Sequence, residues 1–207
     1  MRKIGILGLV GVLALVLAGC GGGDNRTTVV IQSLSDQPVD GDSGFTSPGT
    51  FLISQADVTR TVQYGIDSGG TEFQAFLDFP LDGSTGGGVV PLSAVIVSAD
   101  IEVFVNSVSF SSSVPTLLDL VSFPVSGLTN ADFNSAPLLT RSPFDIRSLD
   151  VGNFVRIDVT SLMVEAQRLG MRNLQLRFLL DFPAVAGLVV LDDGVQARAP
   201  LLTVEFR

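Results

Sequence analysis

Two phenylalanines stand among polar residues on strand-like segments, a pattern suited to binding sugar rings. Phe76 shares one face of its segment with Glu72, Gln74 and Asp78. The corresponding neighbours of Phe104 are Asp100, Glu102 and Asn106. An exposed aromatic ring stacks on the apolar face of a ligand, and polar groups beside it fix the ligand's orientation.

We therefore take Phe76, Phe104, Glu72 and Glu102 as candidate binding residues. If their two strands pair, the rings form one apolar spot rimmed by carboxylates and amides. The alternative is that a helix or the segment 111–149 covers both rings, because phenylalanine is most often a core residue. Substituting each phenylalanine by alanine separates a lost ligand from a lost fold.

The acidic residues of two loops are the candidate metal ligands. With no histidine and one cysteine in the chain, hard oxygen ligands remain, and these favour calcium. The candidates are Asp40 and Asp42 in one loop and Asp192 and Asp193 in the other. Neither loop has the spacing of an EF-hand, and Asp-Gly pairs also form ordinary turns. We expect no bound metal and no other cofactor.

The residue types argue against an enzyme. Without histidine, the chain cannot form a Ser-His or Cys-His nucleophilic pair. It also lacks a phosphate-binding loop of the strand–Gly–Lys–helix type. A pair of carboxylates can hydrolyse or eliminate a glycosidic bond, but their separation in space decides this and the sequence does not give it. A glycan hydrolase or lyase therefore stays open as the third interpretation.

Composition sets broader limits on the function. The 207 residues contain 12 basic and 21 acidic side chains, a net charge of -9, which argues against nucleic acid as a partner. The apolar fraction of 46% is sufficient for a packed core and argues against a disordered chain. The length fits one ordinary domain with an additional segment.

The first residues have the pattern of an export signal. Arg2 and Lys3 precede an uncharged apolar or glycine run, which is too short to span a bilayer and ends at Cys20. The ending Leu17-Ala18-Gly19-Cys20 resembles the lipobox of bacterial lipoproteins. That resemblance implies cleavage before Cys20 and acylation of the cysteine, so the partner of this residue is a membrane. The alternative is an uncleaved anchor with an incidental cysteine.

The lipobox resemblance divides the chain into a signal peptide at 1–19, a lipidated cysteine with a flexible tether at 20–28, and a domain at 29–207. Cleavage removes Arg2 and Lys3, which takes the net charge from -9 to -11. In proteobacterial lipoproteins, an aspartate directly after the lipidated cysteine resembles an inner-membrane retention signal. This chain has Gly21 at that position. The resemblance therefore implies the outer membrane, with either face open.

The domain has the period-two alternation of β-strands. Its clearest segments are Phe73–Phe79, Ile101–Val105, Val155–Val159, Leu174–Leu180 and Leu202–Phe206. Glycine, proline, aspartate and serine clusters separate these segments and form turns. Helical spacing appears only in Ser161–Leu169, with Thr160 or Ser161 as the N-cap and Gly170 as the stop. We predict an all-β, jelly-roll-like antiparallel sandwich with this one short helix.

Two stretches resemble the extracellular jelly-roll modules named for a DNRLRE motif, which are related to carbohydrate-binding modules. The first comprises Phe73–Phe79 and Val90–Phe104. The second comprises Val155–Thr160, a short helix, Asn173–Asp181 and the closing segment Ala199–Phe206. The DNRLRE string is absent, and 111–149 replaces the tryptophan-rich middle of the family. The resemblance implies a jelly roll and a polysaccharide-binding role.

The first interpretation is therefore an envelope-anchored, non-catalytic lipoprotein that carries a jelly-roll binding module for polysaccharide. The second is a structural or assembly lipoprotein that binds another envelope protein. A glycan array separates the first from the second, and co-purification of a stoichiometric envelope partner supports the second.

Overall fold

The computed structural model describes residues 26–32, 39–47, 49–55, 61–85, 87–182, 186–194 and 197–207. Cys20, the leader and tether residues 21–25 lie outside the described residues. The elements in chain order are β1 (Thr27–Gln32), β2 (Gly41–Thr46), β3 (Thr50–Gln55), β4 (Thr61–Ile66), β5 (Glu72–Pro80), β6 (Ile96–Ser109), β7 (Ser113–Leu120), α1 (Asn130–Phe133), β8 (Leu139–Arg147), a 3-10 turn (Ser148–Asp150), β9 (Phe154–Asp158), α2 (Thr160–Arg168), β10 (Asn173–Leu180), β11 (Gly187–Asp192) and β12 (Leu201–Phe206).

The strand pairs are nested along the chain. All of them are antiparallel: β1 with β12, β4 with β11, β5 with β10, β6 with β9, and β7 with β8. Such nesting is what a long hairpin produces when it rolls up into two layers. The hairpin β2–β3 is inserted between the first two of these pairs and attaches to β5. The predicted all-β antiparallel sandwich is confirmed.

Strand β6 links the two layers. Its first half pairs with β12 and β9, and its second half pairs with β11, which continues through β4, β5, β10, β7 and β8. We call the layer of β1, β12, β9 and the first half of β6 sheet A, and the other layer sheet B. One apolar cluster fills the space between them, and it contains Ile101 and Leu202 from sheet A with Leu77, Leu176 and Phe178 from sheet B. The predicted alternation is confirmed at these positions.

Helix α2 closes one side of the sandwich and agrees with the predicted Ser161–Leu169 to within one residue. Gly170 follows with a φ of 67°, so the predicted glycine stop is also confirmed. The predicted N-cap is wrong, because Val159 occupies that position. The Thr160 hydroxyl instead accepts the backbone N–H of Ala99 at 3.0 Å, which ties the helix to β6.

The segment between β7 and β8 packs on the outer side of sheet B. Gln175 accepts the backbone N–H of Phe123 at 2.9 Å and donates to its carbonyl at 3.0 Å. These two bonds reproduce the pairing that another strand would make. The segment forms a second, smaller apolar cluster of Val39, Phe76, Val121, Phe123 and Leu128.

Candidate functional site

The candidate site begins with Phe104 on β6. Because Ile101, Val103 and Val105 point into the core, the alternate residues Glu102 and Phe104 lie on the outer face of sheet A. Both side chains are partly exposed. Two of the four predicted binding residues are therefore placed together on one open sheet face.

Strand β9 adds a second aromatic ring and a guanidinium to that face. In the β6–β9 register Phe154 lies opposite Phe104, and Arg156 lies opposite Glu102. The two rings meet edge to face, with centroids 5.2 Å apart and planes at 73°. Phe154 is 46% exposed, so half of a large apolar ring faces solvent at this point.

Arg198 fixes the orientation of Phe104. Its guanidinium carbon lies 4.4 Å from the centroid of the Phe104 ring, a cation–π contact that occupies one face of that ring. Phe154 is therefore the ring with the more accessible surface. Arg198 is itself exposed.

Polar side chains surround the two rings. Arg156 Nη2 donates to Asp100 Oδ2 at 2.7 Å, and this hydrogen bond raises the pKa of Arg156. Further along β6, Asn106 Nδ2 donates to Asp192 Oδ2 at 3.4 Å. The face thus combines an apolar aromatic surface with hydrogen-bond donors and acceptors at its border.

Phe76 lies elsewhere and is fully buried. Its ring meets Phe123 edge to face at 5.5 Å within the second apolar cluster. The partners of β5 are β2, β4 and β10, whereas those of β6 are β9, β11 and β12. The two phenylalanines therefore share no surface, and the expected role of Phe76 in stacking is wrong. Glu72, at the start of β5 opposite Ile66, is separated from the Phe104 face for the same reason.

Sequence reasoning missed Phe154, Arg156 and Arg198 as members of the site. The alternation of Val155, Ile157 and Val159 already places Phe154 and Arg156 on an outer face. The missing information was that β9 pairs with β6, which joins two strands separated by about fifty residues. Arg198 precedes β12 and carries no periodic signal of its own.

The acidic candidate ligands lie in two buried places. Asp40 Oδ1 accepts the backbone N–H of Asp78 at 2.5 Å beside β5, and Asp42 is buried on β2. Burial raises the pKa of Asp42 to about 7. Asp192 and Asp193 are buried at the end of β11. Over the described ranges, no three carboxylates or thiols converge in a way that could hold a metal ion.

In the described part of the chain, no helix combines the length and the apolar character needed to cross a membrane. No model of a protein family matches the sequence. A comparison with curated proteins also finds no match.

Proposed function

We propose that this chain is an exported lipoprotein whose jelly-roll domain binds polysaccharide on the outer face of sheet A. The anchor is supported by the basic and apolar leader that ends at Leu17-Ala18-Gly19-Cys20. Several acyl chains on one cysteine supply stable membrane attachment, since each buried CH₂ contributes about 0.8 kcal/mol. Gly21, in place of an aspartate, supports the outer membrane as the destination.

The observation that carries the binding role is the exposed Phe104–Phe154 pair on an open sheet face. A sugar ring has an apolar face that packs on an aromatic ring and hydroxyls that bond to charged and amide groups beside it. Arg156, Asp100 and Glu102 are placed to make those bonds. The resemblance to jelly-roll modules related to carbohydrate-binding modules points to the same ligand class.

A glycan array tests this proposal. The purified lipoprotein in detergent micelles is applied to immobilised polysaccharides next to its Phe154→Ala variant. We expect signals for a restricted set of glycans, and loss of those signals in the variant. Val30→Ala is the matched control, because Val30 lies on β1 of the same sheet with 47% exposure against 46% for Phe154. A chain that binds no glycan, or a variant that binds as well as the wild type, contradicts the proposal.

A second candidate, assembly with another envelope protein, is favoured by one observation. Phe110, Leu149 and Phe182 are exposed on loops at one end of the sandwich. The loops meet there, because Ser148 donates to the carbonyl of Ser112 at 3.0 Å and Asp181 donates to that of Pro115 at 3.0 Å. Exposed apolar groups on neighbouring loops are typical of a protein contact.

Co-purification tests this second candidate. Phe110 has a φ of 64°, a strained conformation for a residue other than glycine, which is a feature of functional loops. A stoichiometric envelope partner that is lost in Phe110→Ser, without any glycan signal from the wild type, favours assembly over polysaccharide binding.

A further inference from the structure

The end of the sandwich opposite Phe110 also exposes apolar side chains. Val89, Leu92 and Val95 are 54–55% exposed on the segment that precedes β6, and Val164 on α2 is 48% exposed. A groove of about 330 Å³ runs between that segment and the helix. We call the surface made by these four residues the entry surface.

A second groove extends the entry surface along the same segment. It measures about 300 Å³ and shares Leu92 with the first groove. Arg168 lines the first groove, and Arg172 with Asp82 lines the second. Arg168 is paired with Glu165 at 2.6 Å. The surface is therefore aliphatic at its centre, with the guanidinium groups of Arg168 and Arg172 and the carboxylates of Glu165 and Asp82 at its border.

The chain enters the domain beside this surface. Thr27, at the start of β1, pairs with Phe206, which in turn pairs with Ile96. Val95 and Arg207 exchange two backbone hydrogen bonds of 2.9 and 3.1 Å. Val95, which belongs to the entry surface, thus lies at the same end of the same sheet as the first residue of β1.

The distance between the entry surface and Cys20 is limited by the length of the chain. Cys20 is six residues before Arg26, and six residues reach at most about 21 Å when fully extended. Arg26 is itself held on the domain through its contact with Glu205 at 3.1 Å. Acyl chains on Cys20 therefore keep this end of the domain within about 21 Å of a bilayer.

We propose that the entry surface lies on the phospholipid surface of the membrane that holds Cys20. This inference rests on the proposed lipid anchor. Half-exposed aliphatic side chains insert at the boundary between headgroups and acyl chains, and guanidinium groups bind lipid phosphates. The short tether raises the local concentration of the surface at the membrane, so weak apolar contacts are sufficient.

Docking in this way gives the domain one orientation. Strand β6 has fourteen residues and runs about 45 Å from the entry surface to the loop of Phe110. The exposed loops of Phe110, Leu149 and Phe182 then point away from the membrane, and the Phe104–Phe154 face lies between the two ends.

Tryptophan fluorescence tests the orientation cleanly, because the chain contains no tryptophan. The variants Leu92→Trp and Phe110→Trp place one indole at each end, at positions with matched exposures of 54% and 55%. Each full-length lipidated variant is reconstituted in phosphatidylglycerol–phosphatidylethanolamine vesicles with and without brominated acyl chains. If Leu92→Trp does not fold, Val95→Trp replaces it.

We expect the emission of Leu92→Trp to shift to shorter wavelength and to be largely quenched by the brominated lipid, while Phe110→Trp keeps its emission. Equal quenching of the two variants, in protein that floats with the vesicles, overturns the docking proposal and leaves the anchor intact. A blue shift without quenching, which in vesicles that hold only this protein indicates contact with a second copy of the chain, also overturns it. A mass spectrum without acyl chains on Cys20 overturns the proposed anchor and this inference together.

Discussion

Arg177 and Asp119 form an ion pair that is almost completely buried on the outer side of sheet B, with Arg177 Nη2 2.6 Å from Asp119 Oδ2. The other terminal nitrogen of Arg177 donates to the backbone carbonyls of Asp132, Phe133 and Ser135. Those carbonyls belong to the end of α1 and the residues after it. One side chain thus neutralises a buried carboxylate and holds the segment between β7 and β8 in place.

We predict that Arg177→Ala lowers the free energy of unfolding by about 3–5 kcal/mol, because it leaves the Asp119 carboxylate buried without its charge partner. Urea denaturation followed by circular dichroism measures this loss. Arg156→Ala is the control, since the Arg156 side chain is 63% exposed in its pair with Asp100, and we expect a much smaller loss. Equal losses in the two variants contradict the structural role of Arg177.

Gln175 gives a second prediction about the same segment. Gln175→Ala removes both side-chain bonds to Phe123 and leaves a buried N–H and C=O unsatisfied. We expect faster hydrogen exchange at 121–138 and unchanged exchange in β6, measured by mass spectrometry. Asn153→Ala, which removes an exposed amide, is the control. Faster exchange throughout the domain shows instead that Gln175 supports the whole fold.

The pH dependence of stability follows from Asp42. Burial raises its pKa from 3.8 to about 7 in the folded protein, so between these values the folded state holds a proton that the unfolded state has lost. Stability from this group is therefore complete below about pH 4 and falls as the pH rises to 7. Burial raises the pKa of Asp78 as well, which acts in the same direction.

Asp42→Asn removes this titration. We expect the unfolding free energy of the variant, relative to the wild type, to increase between pH 4 and pH 7 in urea titrations. Asp82→Asn is the control, because hydrogen bonds from Ser84 lower the pKa of Asp82, so both states of the protein are ionised at this group above pH 4 and the difference from wild type stays flat between pH 4 and pH 7. A difference between Asp42→Asn and wild type that does not change with pH shows that the Asp42 carboxyl is solvated.

Cys20 gives a prediction about processing. In a bacterial host that has an outer membrane, we expect Cys20→Ser to accumulate as an unlipidated precursor that retains residues 1–19. Mass spectrometry of the purified protein distinguishes this precursor from the mature, acylated form. A Cys20→Ser chain that is still cleaved and still fractionates with membranes contradicts the lipoprotein interpretation.

Alternation predicted the fold well because each core position is set by a local rule. The residues of β5, β6, β10 and β12 that the period-two pattern placed in the core are found there, except Phe73, which is only partly buried and lies outside the cluster. Helix α2 was predicted for the same reason, with Leu162 and Ala166 on its buried face. The N-cap of α2 was not predicted correctly, because the hydrogen bond from Ala99 to Thr160 joins elements that are far apart in the sequence.

Strand β2 was not predicted, because its composition is unusual for a strand. The run Gly41-Asp42-Ser43-Gly44 has the residues of a turn and was interpreted as a carboxylate loop. In the structure β2 lies between β3 and β5, and a Cβ atom at Gly44 would come within 2.8 Å of the Phe73 ring. Glycine is needed there because two strands and an aromatic ring approach closely, which a single sequence does not reveal.

The sequence predicted Phe104 and Glu102 correctly as neighbours on one face but placed Phe76 and Glu72 there wrongly, and this difference has a physical reason. Phe76 and Phe104 have the same local pattern, since each stands among polar residues on the outer face of a strand. In the described part of the chain, the segment between β7 and β8 covers that face of sheet B, so Phe76 is buried, whereas Phe104 on sheet A keeps partial exposure. Gln175 and Arg177 bond that segment to sheet B, and these contacts are tertiary, so local patterning does not reveal them.

The central claim is that the Phe104–Phe154 pair is a polysaccharide-binding surface. Titration calorimetry of the best-bound glycan from the array, against wild type, Phe154→Ala and Val30→Ala, tests it most directly. We predict an affinity about tenfold lower for Phe154→Ala, equivalent to about 1.4 kcal/mol, and unchanged affinity for Val30→Ala. Phe154→Ala that folds normally and keeps the wild-type affinity contradicts the claim.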